Sequence, residues 1–349
     1  MTAEQAAPQR RAVWGVFGSI ILVLIGVIVW LILGTEGRFI PDAGPVNAPT
    51  MESVLVITGP GEGDLPALSR PLGVVWGPRG DIYVSDTGGA RVCVFDDRGR
   101  FLREVGRVAT SAPPAQRATA LVQPAGLAVS DDGTLYVADL RGGAVRVFDR
   151  AGKLTGSIRP PASKAGDAPE KWMPTDVALA PDEVYVADAR GVAVFSAKGA
   201  LQRRLDAVAP GVPFKRPYSV DVDPSGRVFV SDSLAQRVTA LSAGGAPQWA
   251  APSLEGGEVL FGLPRGVAGV GDGSALVCDA FKFGFTHLSA KGANLGTYAA
   301  RGKRPAQFEY PNDLDVSGDL VLVADKENDR VQVVRLRGIL DATTDAKDE

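Results

Sequence analysis

Carboxylates recur at a fixed spacing along this chain. Asp86, Asp139, Asp188, Asp232, Asp279 and Asp325 each follow a proline by 14 or 15 residues, the prolines being Pro71, Pro124, Pro174, Pro217, Pro264 and Pro311. Such a carboxylate can do acid–base work, or it can accept backbone N–H groups from the turn that follows it. Arg91, Arg237 and Arg330 lie five residues beyond three of them, while Ala144, Gly284 and a loop shortened to Gly191 stand in the other copies. These six aspartates are therefore assigned to structure. A second polar set directly follows the prolines: Thr175–Asp176, Tyr218–Ser219, Arg265–Gly266 and Asn312–Asp313, with Leu72–Gly73 and Ala125–Gly126 at the remaining two. Asp176, Asn312 and Asp313 carry the oxygen donors that hard cations prefer. Tyr218 and Arg265 add groups for a polar ligand. The same residues could instead satisfy strand backbone or hold water. Other chemistry is narrowed by composition. His287 is the only histidine, too few for a multi-histidine zinc centre, and two cysteines build no disulfide framework. No Ser/His/Asp arrangement, phosphate-cradling glycine loop or haem-attachment motif is present. A formal charge of −3 over 349 residues offers no basic field for nucleic acid.

The elements that carry these residues repeat. RPLGVVWGPRGDIYVSDTGGARVCVF from Arg70 and QPAGLAVSDDGTLYVADLRGGAVRVF from Gln123 are two of six alignable segments, starting 43 to 53 residues apart. Each reads as an apolar run after the proline, a turn, a second run ending in Asp, a polar loop and a β-branched third run. A weaker fourth run follows a glycine turn, as in FLREVG and KLTGSI. Four short strands recurring at this period predict an all-β fold, a six-bladed β-propeller of four-stranded antiparallel blades. The sixth unit lacks its outer strand, and an orphan run, Ser53 to Gly59, precedes the first. Their pairing is expected to close the ring. Cys278 occupies a slot filled elsewhere by Ser or Ala, and Cys93 lies in a non-adjacent unit, so both are expected to be buried free thiols.

The pattern Pro-x-[Gly/Asp]-Val, Tyr-Val-[Ala/Ser]-Asp, Arg-Val-x-Val-Phe, Gly resembles the NHL repeat, here of a membrane-anchored, bacterial type, over about residues 51 to 338. The resemblance implies a propeller that serves as a binding platform, an enzyme scaffold or a part of a ubiquitin ligase. A ligase would need a zinc-binding RING, which is absent. An amidating lyase on this scaffold would need several histidines. Gluconolactonase-like relatives imply a calcium ion at the tunnel, for which Asn312, Asp313 and Asp176 have suitable oxygens. Pro-Asn-Asp and Pro-Thr-Asp also match the ordinary repeat.

Ahead of the repeats, residues 13–33 form 21 uncharged residues, long enough at about 1.5 Å each to span the roughly 30 Å hydrocarbon core of a bilayer. Trp14 and Trp30 lie near its ends, and Arg10 and Arg11 precede it. The expected organisation is a short cytoplasmic N-terminus (1–12), one transmembrane α-helix (13–33), a linker (34–50), the propeller (51–338) and an acidic tail (339–349), with the propeller outside. The face that gathers the interblade linkers and post-Asp loops is expected to bind. On it, blade 5 carries DAFKFGF, where Phe281 and Phe283 flank Lys282. The expected function is membrane-anchored, extracytoplasmic binding of a protein, peptide or cell-envelope ligand by this face, with no nucleic acid and no required cofactor. The alternative is a Ca²⁺-dependent lactonase-like hydrolase at the tunnel mouth. Candidate site residues are Asp176, Tyr218, Arg265, Asn312, Asp313, Phe281 and Phe283.

Overall fold

The computed structural model describes residues 51–336 except 61–65, 110, 162–171, 210, 252–253 and 256–257. The expected transmembrane segment 13–33, its flanks 1–12 and 34–50, and the tail 339–349 lie outside the described residues. Among the described residues no helix is long and apolar enough to cross a membrane.

Six four-stranded antiparallel sheets follow one another along the chain. Blade 1 comprises Val74–Trp76, Ile82–Asp86, Arg91–Phe95 and Phe101–Val105, hydrogen-bonded in that order. Blades 2 to 5 repeat the meander from Pro124–Val129, Asp176–Ala180, Pro217–Val222 and Pro264–Gly269 as inner strands. Most strands are five or six residues cut by a turn, the second and third rich in β-branched and aromatic side chains, as in Ile82–Asp86 (IYVSD) followed by Arg91–Phe95 (RVCVF). Blade 6 is assembled from both ends of the described chain. Pro311–Ser317, Leu320–Asp325 and Arg330–Leu336 supply three strands, and Met51–Ile57 supplies the fourth, running from Met51 opposite Leu336 to Ile57 opposite Val331. The expected closure is thus observed, two residues earlier than Ser53–Gly59.

The apolar core is divided among the six junctions between blades. Leu322, Ala324, Val331 and Val333 of blade 6 pack with Ile82, Val84, Cys93 and Phe95 of blade 1, and Ile57 of the closing strand joins them. Equivalent clusters join every other neighbouring pair, such as Phe285, Phe308, Leu314 and Val323 between blades 5 and 6. Cys93 and Cys278 are buried free thiols in these layers. The linkers hold small elements that no strand period announced: a helical turn at Pro114–Arg117 and two-stranded hairpins at Ala207–Ala209 with Val212–Pro213 and Leu254–Glu255 with Glu258–Val259.

Candidate functional site

Side chains alternate along a strand, so the residues two and four positions after each proline share one face of their inner strand, the face turned to the next blade. The first ring is Gly73, Gly126, Asp176, Ser219, Gly266 and Asp313; the second is Val75, Ala128, Ala178, Asp221, Ala268 and Asp315. All six inner strands line a central cavity of about 180 Å³ that is walled in part by Asp176, Asp221, Asp313 and Asp315. Asp221 and Asp315 were not singled out from the sequence. The signal was available in the two-residue period that puts them beneath Ser219 and Asp313.

These carboxylates bind backbone. An inner strand is a sheet edge, and its outward N–H groups need acceptors. Asp313 of blade 6 accepts the N–H of Val74 in blade 1 at 3.0 Å, and Asp315 accepts that of Trp76 at 2.7 Å. Asp176 of blade 3 accepts the N–H of Val220 in blade 4 at 3.1 Å. Asp221 and Ser219 of blade 4 accept the N–H groups of Gly269 and Val267 in blade 5 at 2.8 and 3.2 Å. Where the first ring has glycine the neighbouring blade comes closer. A Cβ on Gly126 would stand 1.8 Å from Asp176 Oδ1, and the Gly126 N–H donates directly to Thr175 O at 3.0 Å.

Burial dominates the electrostatics. Desolvation lifts Asp176 to about 7, against the pull of its Ser219, Val220 and Val177 hydrogen bonds, and lifts Asp315 to about 7. Asp313 is raised well above the usual carboxylate range, first by burial and then by the charge of Asp176 across the ring. Asp221 is raised by burial as well. The tunnel therefore holds protons more tightly than surface carboxylates do.

At the tunnel mouth three of the sequence-predicted residues meet. The Asn312 amide lies 3.0 Å through its nitrogen and 3.2 Å through its oxygen from the Tyr218 hydroxyl, and Asn312 Nδ2 also donates to Leu72 O at 2.8 Å. The Arg265 guanidinium lies 4.1 Å over the Tyr218 ring and donates to the Tyr310 hydroxyl at 3.2 Å. This group ties blades 4, 5 and 6 to blade 1 across the opening. Beyond it, Phe281 packs edge-on against Tyr310 with ring centroids 5.9 Å apart and is still 58% exposed. Phe283 does not join it on the surface. It adopts a left-handed backbone (φ 56) and lies half-buried under the Arg301 guanidinium at 4.6 Å. Lys282 reaches back to Val259 O, and Gln236 donates to Gly262 O at 2.9 Å, which brings the exposed Leu234 and Val259 to the same region of blades 4 and 5.

The six recurring aspartates are latches. Their backbone partners extend further than the expected turn, since most clamp the linker just before the proline. Asp232 accepts Lys215 and Arg216 N–H at 2.8 Å each, Asp139 accepts Val122 and Gln123, and Asp279 accepts Gly262 and Leu263. The expected ion pairs form: Arg91 with Asp86 at 2.7 Å, Arg237 with Asp232 at 3.1 Å and Arg330 with Asp325 at 2.7 Å. In blade 3 the outer-strand Arg204 and the Trp172 indole take that role on Asp188. His287 is buried beside Ser274 Oγ at 3.1 Å, in the third strand of blade 5.

Six sheets around a central axis, with one sheet closed by the first and last described strands, define a six-bladed β-propeller. Residues 68–95 and 121–148, in the first two blades, match the family model of the NHL repeat, a match that supports an NHL-repeat type of propeller. Among solved structures it is similar to virginiamycin B lyase from Staphylococcus aureus (9% identity, 82% of this chain and 99% of that one, TM-score 0.55). It is similar also to a putative gluconolactonase (16% identity, 84% and 93%, TM-score 0.56) and to a protein of unknown function from Bacteroides thetaiotaomicron (16%, 83% and 76%, TM-score 0.57). At these identities the likeness is one of fold. No curated protein matches the sequence.

Proposed function

We propose that the chain is a binding module. Its linker-rich face docks a protein, peptide or cell-envelope ligand, and residues 13–33 hold it on a membrane with the N-terminus in the cytoplasm and the propeller outside. The observation that carries the docking reading is Phe281, 58% exposed yet braced against Tyr310 on a rigid blade, with Leu234 and Val259 exposed at 62% and 51% on the adjoining loops. Large exposed apolar side chains grouped on a fixed scaffold mark interaction surfaces, and aromatic ones make the strongest anchors. The 21-residue uncharged run supports the anchor, and the arginines before it support the orientation.

A calcium-dependent hydrolase at the tunnel is the second reading, and the donor set argues against it. Asp176 and Asp313 each give an oxygen to a neighbouring backbone N–H, and Asn312 is engaged by Tyr218 and Leu72. Among the described residues no group of three or more carboxylate, histidine or cysteine side chains is arranged to hold a metal. A calcium cage of six to eight oxygens is not formed by these residues.

Two measurements test the proposal. The full-length protein is captured from membranes with its bound partners and compared with Phe281→Ala and Leu234→Ala. The partner retained by the wild type should be lost from both variants, and equal retention would overturn docking at this surface. For topology, Lys291→Cys on the face opposite the linkers is treated in intact cells with a membrane-impermeant maleimide. Cys93 and Cys278 are buried, so labelling of the variant alone supports an external propeller, and labelling only after lysis rejects it.

A further inference from the structure

Beside the tunnel mouth, where blades 1 and 2 meet the loop of blade 6, lies a cavity of about 450 Å³. That volume is within the range of small-molecule sites. Three cations from three blades line it: Arg70 before the inner strand of blade 1, Arg141 in the loop after Asp139, and Lys326 in the loop after Asp325. Thr87 and Gln123 add a hydroxyl and an amide, and Leu72 and Val122 add apolar wall. Among the described residues no carboxylate lines the cavity. Glu327 lies 2.6 Å from Lys326 and 3.8 Å from Arg70 and offsets part of the charge. Among the described residues Arg141 has no ion pair or side-chain hydrogen bond, and the Gln123 amide has no partner.

A second observation concerns Arg70 itself. Its backbone is left-handed (φ 48) directly before Pro71, a position where the helical regions are disfavoured, and the Asp329 carboxylate from blade 6 holds its N–H at 2.7 Å. Tyr310 adopts the same conformation before Pro311 in blade 6 (φ 58), so the turn is a feature of the repeat that the surroundings impose. Here it sets the root of the Arg70 side chain against the cavity shared with Arg141.

We propose that this cavity binds a small organic oxyanion, a polycarboxylate or a phosphate ester, with the Arg70 and Arg141 guanidinium groups taking its charge and Gln123 its remaining polar atoms. Guanidinium forks match the paired oxygens of both groups, and the apolar wall suits a carbon skeleton. The site is separate from the exposed apolar surface of blades 4 and 5 and stands or falls without it.

The test is calorimetric titration of the full-length protein in detergent with citrate and, separately, inorganic pyrophosphate, each against sodium chloride at matched ionic strength. Saturable one-site binding of at least one anion is expected, and the better probe distinguishes a carboxylate from a phosphate ligand. Arg141→Ala should weaken it by about tenfold, the loss of one charge-assisted contact. The Arg141 side chain is exposed, so that variant keeps the wild-type melting temperature. Arg70→Gly, which adopts φ 48 freely, should weaken binding to a similar degree, and Lys291→Ala on the far face should not. The proposal is overturned if neither anion saturates at millimolar concentration, or if both arginine variants titrate like the wild type.

Discussion

Asn312 of blade 6 donates to the Tyr218 hydroxyl of blade 4 at 3.0 Å, closing over the tunnel mouth with blade 5 between them. The same amide holds Leu72 O in blade 1, so one buried side chain joins three blades. Asn312→Ala leaves the Leu72 carbonyl and the Tyr218 hydroxyl without this partner and should cost about 1–3 kcal/mol in chemical unfolding. Tyr218→Phe keeps the ring beneath Arg265 and loses one hydrogen bond, so about 1 kcal/mol is expected. If both variants unfold like the wild type, the closure contributes nothing to the ring.

The latch in blade 1 differs from that in blade 4 by burial. Arg91 is wholly buried, bonding Asp86 at 2.7 Å, Glu104 at 3.0 Å and Pro66 O at 2.6 Å. Arg237 is partly exposed, and its bond to Asp232 is 3.1 Å. Removing one partner of a buried pair strands the other charge, so Arg91→Ala should cost about 3–5 kcal/mol. Arg237→Ala leaves Asp232 its Lys215 and Arg216 N–H bonds and should cost clearly less. Equal losses would mean that burial does not set the strength of the latch.

The tunnel carboxylates make stability depend on pH in an unusual sense. Burial raises Asp176 and Asp315 to about 7 and raises Asp221 and Asp313 as well, whereas an unfolded aspartate titrates near ~3.9. Between those values the folded state binds more protons. The stability is fully present below about pH 4 and is lost as pH rises through about 7. His287 acts the other way, since burial lowers its pKa, but it is one group against four. The melting temperature should therefore climb as pH falls from 8 to 5, and Asp315→Asn should flatten that slope. A flat profile in the wild type would show that the tunnel aspartates titrate like solvated ones.

The blades were legible before the structure because their signal is local. A proline, a glycine turn and a β-branched run ending in Asp specify strand boundaries within 15 residues, and the opening run at Ser53 could be matched to the incomplete sixth unit. The ion pairs of Arg91, Arg237 and Arg330 were legible for the same reason, as residues facing each other across a short loop. Arg204 on Asp188 was not, since it arrives from the outer strand. Asp221 and Asp315 read as ordinary alternating polar residues until the ring set them against the next blade's inner strand at the tunnel. Phe281 and Phe283 read as a pair, yet the left-handed turn at Phe283 tucks one ring under Arg301 and leaves the other exposed. Arg70, Arg141 and Lys326 share a cavity only because blade 6 closes onto blade 1.

Calcium provides a direct test of the tunnel. A ligand at a hundred times its Kd adds about 2.7 kcal/mol to the stability of the state that binds it. The tunnel aspartates are already hydrogen-bonded to backbone, so millimolar Ca²⁺ should leave the melting temperature unchanged at pH 7 and at pH 8. A rise that disappears in Asp313→Asn would place a cation in the tunnel and favour the hydrolase reading.

Ring closure is the remaining point of vulnerability. Met51–Ile57 gives blade 6 its outer strand, and Ile57 is buried at 3% exposure in the layer with Phe95 and Leu322. Truncating a buried isoleucine to alanine costs about 2–5 kcal/mol, so Ile57→Ala should lower stability by that amount. Deleting 51–57 goes further, because it leaves the N–H and C=O groups of Arg330–Leu336 as an open sheet edge as well as removing the apolar cover. That deletion should lower the melting temperature more than Ile57→Ala does and promote association through the bared strand, measurable by light scattering. A deletion variant that melts with the wild type would mean that blade 6 holds with three strands and that the pairing of Met51–Ile57 with Arg330–Leu336 is incidental.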